Sequence, residues 1–179
     1  MKQLSAADYT VMPWKNGGGT TMEIARDVAN EGYRWRLSIA DIRADGPFST
    51  FPGRSRIISV LEGTGMRLTI DGTPTDRLYR YEPFKFAGAA ITSCALLDGP
   101  VRDFNLIFDP ERYRARVSWH CAPLDIPGDQ HIVLSAHDGC VVNDQSLALY
   151  DTVFCDDPLF IRPSNGQSFA IVTLNRITH

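Results

Sequence analysis

Two groups of polar side chains have types and spacing that suit the binding of a small anion. Asp103 and Asn105 stand two residues apart, and alternate residues of a strand point to one face, so both share a face. Arg36 and Arg56 occupy the polar positions of two further alternating segments. In a small barrel such faces line a lumen, where the arginine fork fits a carboxylate. In an ordinary antiparallel sheet the same faces would be solvated.

The segment MPWKNGGGTT, residues 12–21, places three consecutive glycines beside a lysine. Bare backbone amides can cradle an anion, but a nucleotide-binding loop needs an earlier glycine and a following helix. The residues that follow here alternate as a strand. The segment is therefore either a flexible loop or the edge of a ligand pocket, to which it would contribute Trp14, Lys15 or Asn16.

Residues for a metal site or a catalytic nucleophile do not stand in their usual patterns. The histidines at 120, 131, 137 and 179 are isolated, without the H-x-H pair of metal-binding cupins, and the sequence has no G-x-S-x-G elbow. The four cysteines are widely spaced and form no CxxC pair. We therefore expect no metal, no cofactor, and reduced cysteines buried in the core.

The elements that position these residues are predicted to be strands. Of 18 basic residues 15 are arginine, and of 21 acidic residues 16 are aspartate, so lysine and glutamate, which usually fill exposed helices, are scarce. With 14 Gly and 11 Pro, this composition favours strands joined by turns. Alternating segments lie at 34–39, 56–61, 66–70, 84–86, 91–97, 103–108, 115–119, 131–135, 146–150, 159–162 and 168–174. They predict an all-β fold with little helix: a sandwich, a barrel, or two barrels with a seam near 110–127.

Charge and hydropathy exclude several classes of function. A net charge of −3 gives no basic surface, so we expect no nucleic-acid partner. No apolar run approaches the ~20 residues that span a bilayer, and the N-terminus lacks a hydrophobic signal region. We expect a cytoplasmic protein without a membrane partner.

Several segments together resemble the HutD/Ves family. They are PWKNGGGTTMEI at 13–24, WRLSIA at 35–40, GPFSTFPG at 46–53, Arg56 with the later LEG at 61–63, and DGPVRDFNL at 98–106. The blocks follow the family's order across residues 12–108. The chain departs from the family at Ala89, where the family often has an acid.

The resemblance implies a cytoplasmic bacterial bicupin, with cupin-like double-stranded β-helix barrels in tandem and without the usual cupin metal ligands. The N-terminal barrel would span 1–110 and the smaller C-terminal barrel 111–179. Carried over by position, the ligand-binding candidates are Trp14, Lys15, Asn16, Glu23, Arg36, Phe51, Arg56, Asp103 and Asn105.

The family's association with histidine utilisation implies a protein that binds a small carboxylate metabolite and modulates histidine catabolism. Urocanate or formylglutamate is the expected ligand. A first alternative is a metal-free cupin isomerase or hydrolase with Glu23 or Asp103 as general base. A second is an interaction or structural protein without a small-molecule site, and analogy with other cupins leaves a homodimer open.

Overall fold

Alternating apolar and polar residues build nearly the whole chain into β-strands. The computed structural model describes residues 1–15, 17–28, 32–128 and 130–178. Within those ranges it has nineteen strands and two 3₁₀ helices, Ala6–Asp8 and Ser164–Gly166, so the predicted all-β fold with little helix is confirmed. The strands are β1 (Lys2–Leu4), β2 (Thr10–Pro13), β3 (Gly19–Arg26), β4 (Trp35–Ile42), β5 (Gly46–Pro47), β6 (Ser55–Glu62), β7 (Met66–Ile70), β8 (Thr73–Leu78), β9 (Phe84–Ala87), β10 (Thr92–Leu96), β11 (Val101–Phe108), β12 (Tyr113–His120), β13 (Leu124–Ile126), β14 (His131–Ser135), β15 (Cys140–Val142), β16 (Gln145–Leu147), β17 (Thr152–Cys155), β18 (Leu159–Arg162) and β19 (Phe169–Arg176).

The chain divides into two compact units, each built from two sheets. The first, Thr10–Arg112, has a six-stranded sheet in the order β2-β3-β4-β11-β6-β9 and a four-stranded sheet in the order β5-β10-β7-β8. The second has sheets ordered β1-β17-β14-β19-β12 and β13-β18-β15-β16. It combines Met1–Tyr9 with the chain from Tyr113 onward, because β1 pairs with β17.

The core of the first unit is a cluster of buried apolar side chains that both of its sheets supply. Alternation explains this cluster, since every second residue of each strand faces inward. Its members are Ile42, Ile58, Val60, Phe86 and Val101 from the larger sheet and Met66, Leu68, Leu78 and Cys94 from the smaller.

The second unit has a separate core cluster. Among its members are Val133, Val153, Ile171, Cys140 and Cys155. The expectation that all four cysteines are buried is wrong for Cys121, which is exposed because it follows the end of β12 in a connecting segment. Among the described residues, none of the helices has the length and apolar character needed to cross a membrane.

The register of the six-stranded sheet determines which polar side chains come together. The central strand β11 pairs with β4 on one side and β6 on the other, both antiparallel. Asp103 lies opposite Ala40 of β4, and Ile107 lies opposite Arg56 of β6. Asn105 stands midway between Asp103 and Ile107, so these side chains occupy successive inward positions on one face of the sheet.

Candidate functional site

A cavity of about 580 Å³ lies in the first unit, against the inward face of the six-stranded sheet. This volume falls within the range of small-molecule sites. The predicted site residues that line it are Trp14, Lys15, Arg36, Phe51, Arg56, Asp103 and Asn105. Glu23 does not line it, and Asn16 lies outside the described residues.

Arg56 is the buried cation of the cavity, with 5% of its surface exposed. Its Nε atom is buried without a hydrogen-bond partner among the described residues, and Nη1 donates to the Ser49 carbonyl over 3.4 Å. The guanidinium lies 5.2 Å from the ring centre of Phe48, 5.3 Å from that of Phe51 and 4.9 Å from that of Phe86. Burial lowers the pKa of Arg56 to about 10, which still leaves it charged at neutral pH. The rings of Phe48, Phe51 and Phe86 shield this charge from water.

Arg56 makes no ion pair with any residue in the described part of the chain. A buried cation without a direct ion pair is costly, because the charge of Asp103 offsets only part of its desolvation penalty. The geometry therefore leaves a guanidinium at the cavity that is suited to a small anion.

Asp103 and Asn105 supply buried acceptors on the neighbouring strand. They are 2% and 8% exposed, and the Oδ1 atom of each has no hydrogen-bond partner among the described residues. Burial raises the pKa of Asp103 to about 7, although the charge of Arg56 and a backbone hydrogen bond from Ala40 lower it. Asp103 thus exchanges between acid and carboxylate near neutral pH, as a proton-transfer group requires.

Trp14 forms part of the cavity wall and is fixed at both ends. Its Nε1 donates to Thr21 Oγ1 over 2.8 Å, and its ring meets Phe48 edge-on, with centroids 6.5 Å apart. An indole held in this way presents an apolar surface on which a planar ligand can stack.

The glycine-rich segment joins β2 to β3 beside the cavity. The Trp14 N–H donates to the Gly19 carbonyl over 2.9 Å, which closes the loop. A Cβ at Gly19 would lie 2.3 Å from the Asp41 carbonyl oxygen and 3.0 Å from the Trp14 ring, so only glycine fits there. Gly17 has a φ of +71°, which favours glycine as well. Lys15 is exposed within this loop.

Glu23 lies beside the cavity in an ion-pair network. It accepts from Arg36 Nε over 2.6 Å and from Arg26 Nε over 2.6 Å. Burial raises the pKa of Glu23, but the hydrogen bonds from Arg26 and Arg36 outweigh burial and lower it below its usual value. Glu23 therefore orients Arg36 and is poorly suited to accept a proton as a general base.

Sequence reasoning named Phe51 but missed Phe48 and Phe86, the other two aromatic side chains around Arg56. Phe48 and Phe86 contact the guanidinium as closely as Phe51 does. The two phenylalanines of GPFSTFPG indicate an aromatic cluster at that turn. Phe86 is not predicted to join them, because β6, β7 and β8 lie between the turn and Phe86 in the sequence. Ala89 is exposed in the turn after β9.

The described ranges contain no group of three His, Cys, Asp or Glu side chains placed to hold a metal ion. The expected absence of a metal and a cofactor stays a prediction.

The motifs and the cavity lie in a region that a family model also covers. The model described as HutD matches residues 6–170. The chain belongs to the HutD family. It is 55% identical over 121 residues to an uncharacterized 21.2 kDa protein in the hutC 3′ region of Pseudomonas putida, a match covering 66% of this chain and 64% of that protein. It is 39% identical over 115 residues to protein Ves of Citrobacter koseri, covering 62% of this chain and 60% of Ves. The matched region thus covers less than two thirds of the length of each of these two relatives.

Solved structures extend the likeness across the chain. The structure of HutD from Pseudomonas fluorescens SBW25, in a formate condition, is 38% identical with a TM-score of 0.88, and the match covers 99% of both chains. YlbA of E. coli, at 9% identity, has a TM-score of 0.72 and covers 99% of this chain and 92% of that one. The second likeness shows the fold alone, which is all-β and cupin-like.

Proposed function

We propose that this HutD-family protein binds a small carboxylate metabolite in the cavity of its first unit. The observation that carries this proposal is the buried guanidinium of Arg56, which lines the cavity and has no ion pair among the described residues. A bound carboxylate would supply the missing counter-ion through charge-assisted hydrogen bonds.

The neighbouring side chains give the rest of the site a role. Asp103 and Asn105 would contact the polar end of the ligand, and Trp14 or Phe51 would stack against its planar part. Arg36, held by Glu23, would add a second positive charge. Two cupin-like barrels, one in each unit, would form the bicupin scaffold, which holds no cofactor in this proposal.

Urocanate or formylglutamate is the proposed ligand, and modulation of histidine catabolism in the bacterial cytoplasm is the proposed role. The support is the HutD family model together with a relative in the hutC 3′ region and the HutD structure in a formate condition. Both compounds are small enough for a cavity of about 580 Å³ and both carry a carboxylate.

Calorimetric titration of the purified protein with each compound at millimolar concentration tests the site. We expect binding by the wild type, and affinity lower by roughly 10- to 100-fold in Arg56→Met because a charge-assisted contact is lost. Arg67→Met is the matched control, since Arg67 is exposed on β7 and does not line the cavity. Equal affinity in the wild type and Arg56→Met would refute the site, and no binding of either compound would refute the choice of ligand.

A second candidate function is a metal-free isomerase or hydrolase with Asp103 as general base. The observation favouring it is the raised pKa of Asp103, about 7, at a buried side chain that lines the cavity. Turnover of either compound by the purified protein, lost in Asp103→Asn, would establish catalysis over binding. If the protein has a purely structural or interaction role, neither binding nor turnover is expected. If it forms a homodimer, sedimentation should give twice the monomer mass.

A further inference from the structure

The cavity contains buried polar atoms of two complementary kinds that have no hydrogen-bond partner among the described residues. One is a cationic donor, Arg56 Nε, and the others are two acceptors, Asp103 Oδ1 and Asn105 Oδ1. All three side chains are more than nine-tenths buried. Each unsatisfied group costs free energy unless a partner is supplied, so each indicates what a ligand must offer.

The cation and the carboxylate do not satisfy each other. No nitrogen of Arg56 lies within ion-pair distance of Asp103, although both line the same cavity. The register explains the gap: Arg56 lies opposite Ile107, which is four residues from Asp103 along β11. At a strand rise of about 3.3 Å per residue, their backbones are offset by roughly 13 Å along the sheet. Asn105 lies between them along the sheet, and all three side chains line the cavity.

We propose that the cavity selects bifunctional molecules, whose carboxylate is held by Arg56 and whose N–H or O–H donor is presented to Asp103 and Asn105. This inference rests on the proposed function, because it assumes that Arg56 binds a carboxylate. A simple monocarboxylate satisfies the guanidinium alone and leaves two desolvated acceptors at the other end. A donor at that end satisfies them, and a site built around such a contact rejects analogues that lack it.

Asp103 is the residue that enforces this selection. An asparagine amide can rotate and present either its oxygen or its NH₂ group, so Asn105 adapts to a donor or an acceptor. An ionised carboxylate only accepts, and a second acceptor placed against it is repelled. The preference for a donor therefore resides mainly in Asp103, with Asn105 supporting it.

Two pairs of matched probes test the inference. They are 3-acetamidopropionate with 3-acetoxypropionate and 4-acetamidobutyrate with 4-acetoxybutyrate, in which an amide N–H is replaced by an ester oxygen at constant length. Calorimetric titration of the wild type at about pH 8 keeps Asp103 mostly ionised. We expect the amide to bind roughly 10- to 100-fold more tightly than its ester for at least one chain length. Butyrate serves as the carboxylate without a polar end.

Variants locate the preference in the cavity. Asp103→Asn should reduce the amide-to-ester ratio roughly tenfold because the charge-assisted contact becomes a neutral one. Asp76→Asn, exposed on β8 and outside the cavity lining, should leave the ratio unchanged. Arg56→Met should weaken the amide, the ester and butyrate together.

The outcomes separate this inference from the proposed function. If butyrate, amides and esters all bind with equal affinity, the inference is overturned while carboxylate binding stands. If none of these carboxylates binds the wild type, the proposed function falls and the inference falls with it. An amide preference that persists unchanged in Asp103→Asn contradicts the assignment to Asp103. The comparison within the wild type does not depend on any variant folding.

Discussion

Replacing Asp103 with asparagine should make the protein more stable at about pH 8 and leave its stability at about pH 4 nearly unchanged. The carboxyl is 2% exposed, and burial raises its folded-state pKa to about 7, although Arg56 lowers it. As the pH rises, the unfolded chain gives up the Asp103 proton near its ordinary pKa of 3.8, whereas the folded protein retains it. Folded stability is therefore lost progressively between these two values.

The magnitude follows from the two pKa values. A folded-state pKa of about 7 against 3.8 corresponds to a loss of about 4 kcal/mol, at about 1.4 kcal/mol for each tenfold change. The loss begins near pH 4 and is complete above about pH 7. Asparagine has nearly the same shape and does not ionise, so the variant lacks this loss.

Urea unfolding of the ligand-free wild type and of Asp103→Asn between about pH 4 and pH 8 measures the difference in unfolding free energy. Other groups with shifted pKa values, such as His120 and Glu23, contribute equally to both proteins and cancel in the difference. We expect the advantage of the variant to grow by about 4 kcal/mol across this range. Parallel pH profiles for the two proteins would refute the claim that Asp103 titrates as a buried, unpaired acid.

Three further predictions concern the residues around the cavity. Gly19→Ala should cost about 2 kcal/mol of unfolding free energy, because its Cβ would meet a carbonyl oxygen at 2.3 Å, whereas Gly46→Ala, with open space around it, should cost less than about 0.5 kcal/mol in the same urea titration. Arg56→Met should have an unfolding free energy that is at most about 1 kcal/mol below that of the wild type, or higher, since it removes a buried charge. An unfolding free energy several kcal/mol below that of Arg67→Met would contradict this prediction. Trp14→Phe should remove most of the tryptophan fluorescence change on adding a carboxylate ligand, because Trp14 lines the cavity; an undiminished change would place the ligand elsewhere.

The sequence predicts most of the strands because period-two alternation is a local property. It does not predict β1, β5, β13, β15 and β17, which are short, nor β2 and β8, which contain Pro13 and Pro74, since proline is typical of turns. Both β2 and β8 are edge strands of their sheets, where the missing N–H of proline removes no essential hydrogen bond. The pairing of β1 with β17 joins residues about 150 positions apart, and no local pattern reveals it.

The sequence predicts the site residues that lie together on one strand, and it predicts less well the contacts between residues of different strands. Alternation alone puts Asp103 and Asn105 on one face, and both line the cavity. The family motif groups Glu23 with them, but two arginines bind its carboxylate beside the cavity. The tertiary fold brings the partners of a charged side chain from other strands. The spacing of residues along the sequence therefore does not predict these partners.

The charges of Arg56 and Asp103 at the cavity link the stability of the protein to the ligand that the cavity selects. If a bound donor contacts ionised Asp103, it lowers the pKa of that carboxyl, so binding must be tighter where Asp103 is ionised. Within the described ranges, the other charged side chains lining the cavity are Lys15, Arg36 and Arg56, all of them basic. The carboxylate of 4-acetamidobutyrate acts in the opposite sense, but it is held at Arg56 whereas the amide N–H contacts Asp103 directly, so the donor has the larger effect. Saturating 4-acetamidobutyrate should therefore raise the unfolding free energy more at about pH 8 than at about pH 5.5.

A carboxylate without a donor behaves in the opposite way, because its charge raises the pKa of Asp103 and its binding favours the protonated acid. Butyrate should accordingly stabilise the protein more at about pH 5.5 than at about pH 8. Asp103→Asn should abolish both dependences, because the residue that couples the proton to the ligand is gone. Stabilisation by both probes that changes with pH in the same direction would show that Asp103 does not distinguish them, and its burial would then need an explanation other than ligand selection.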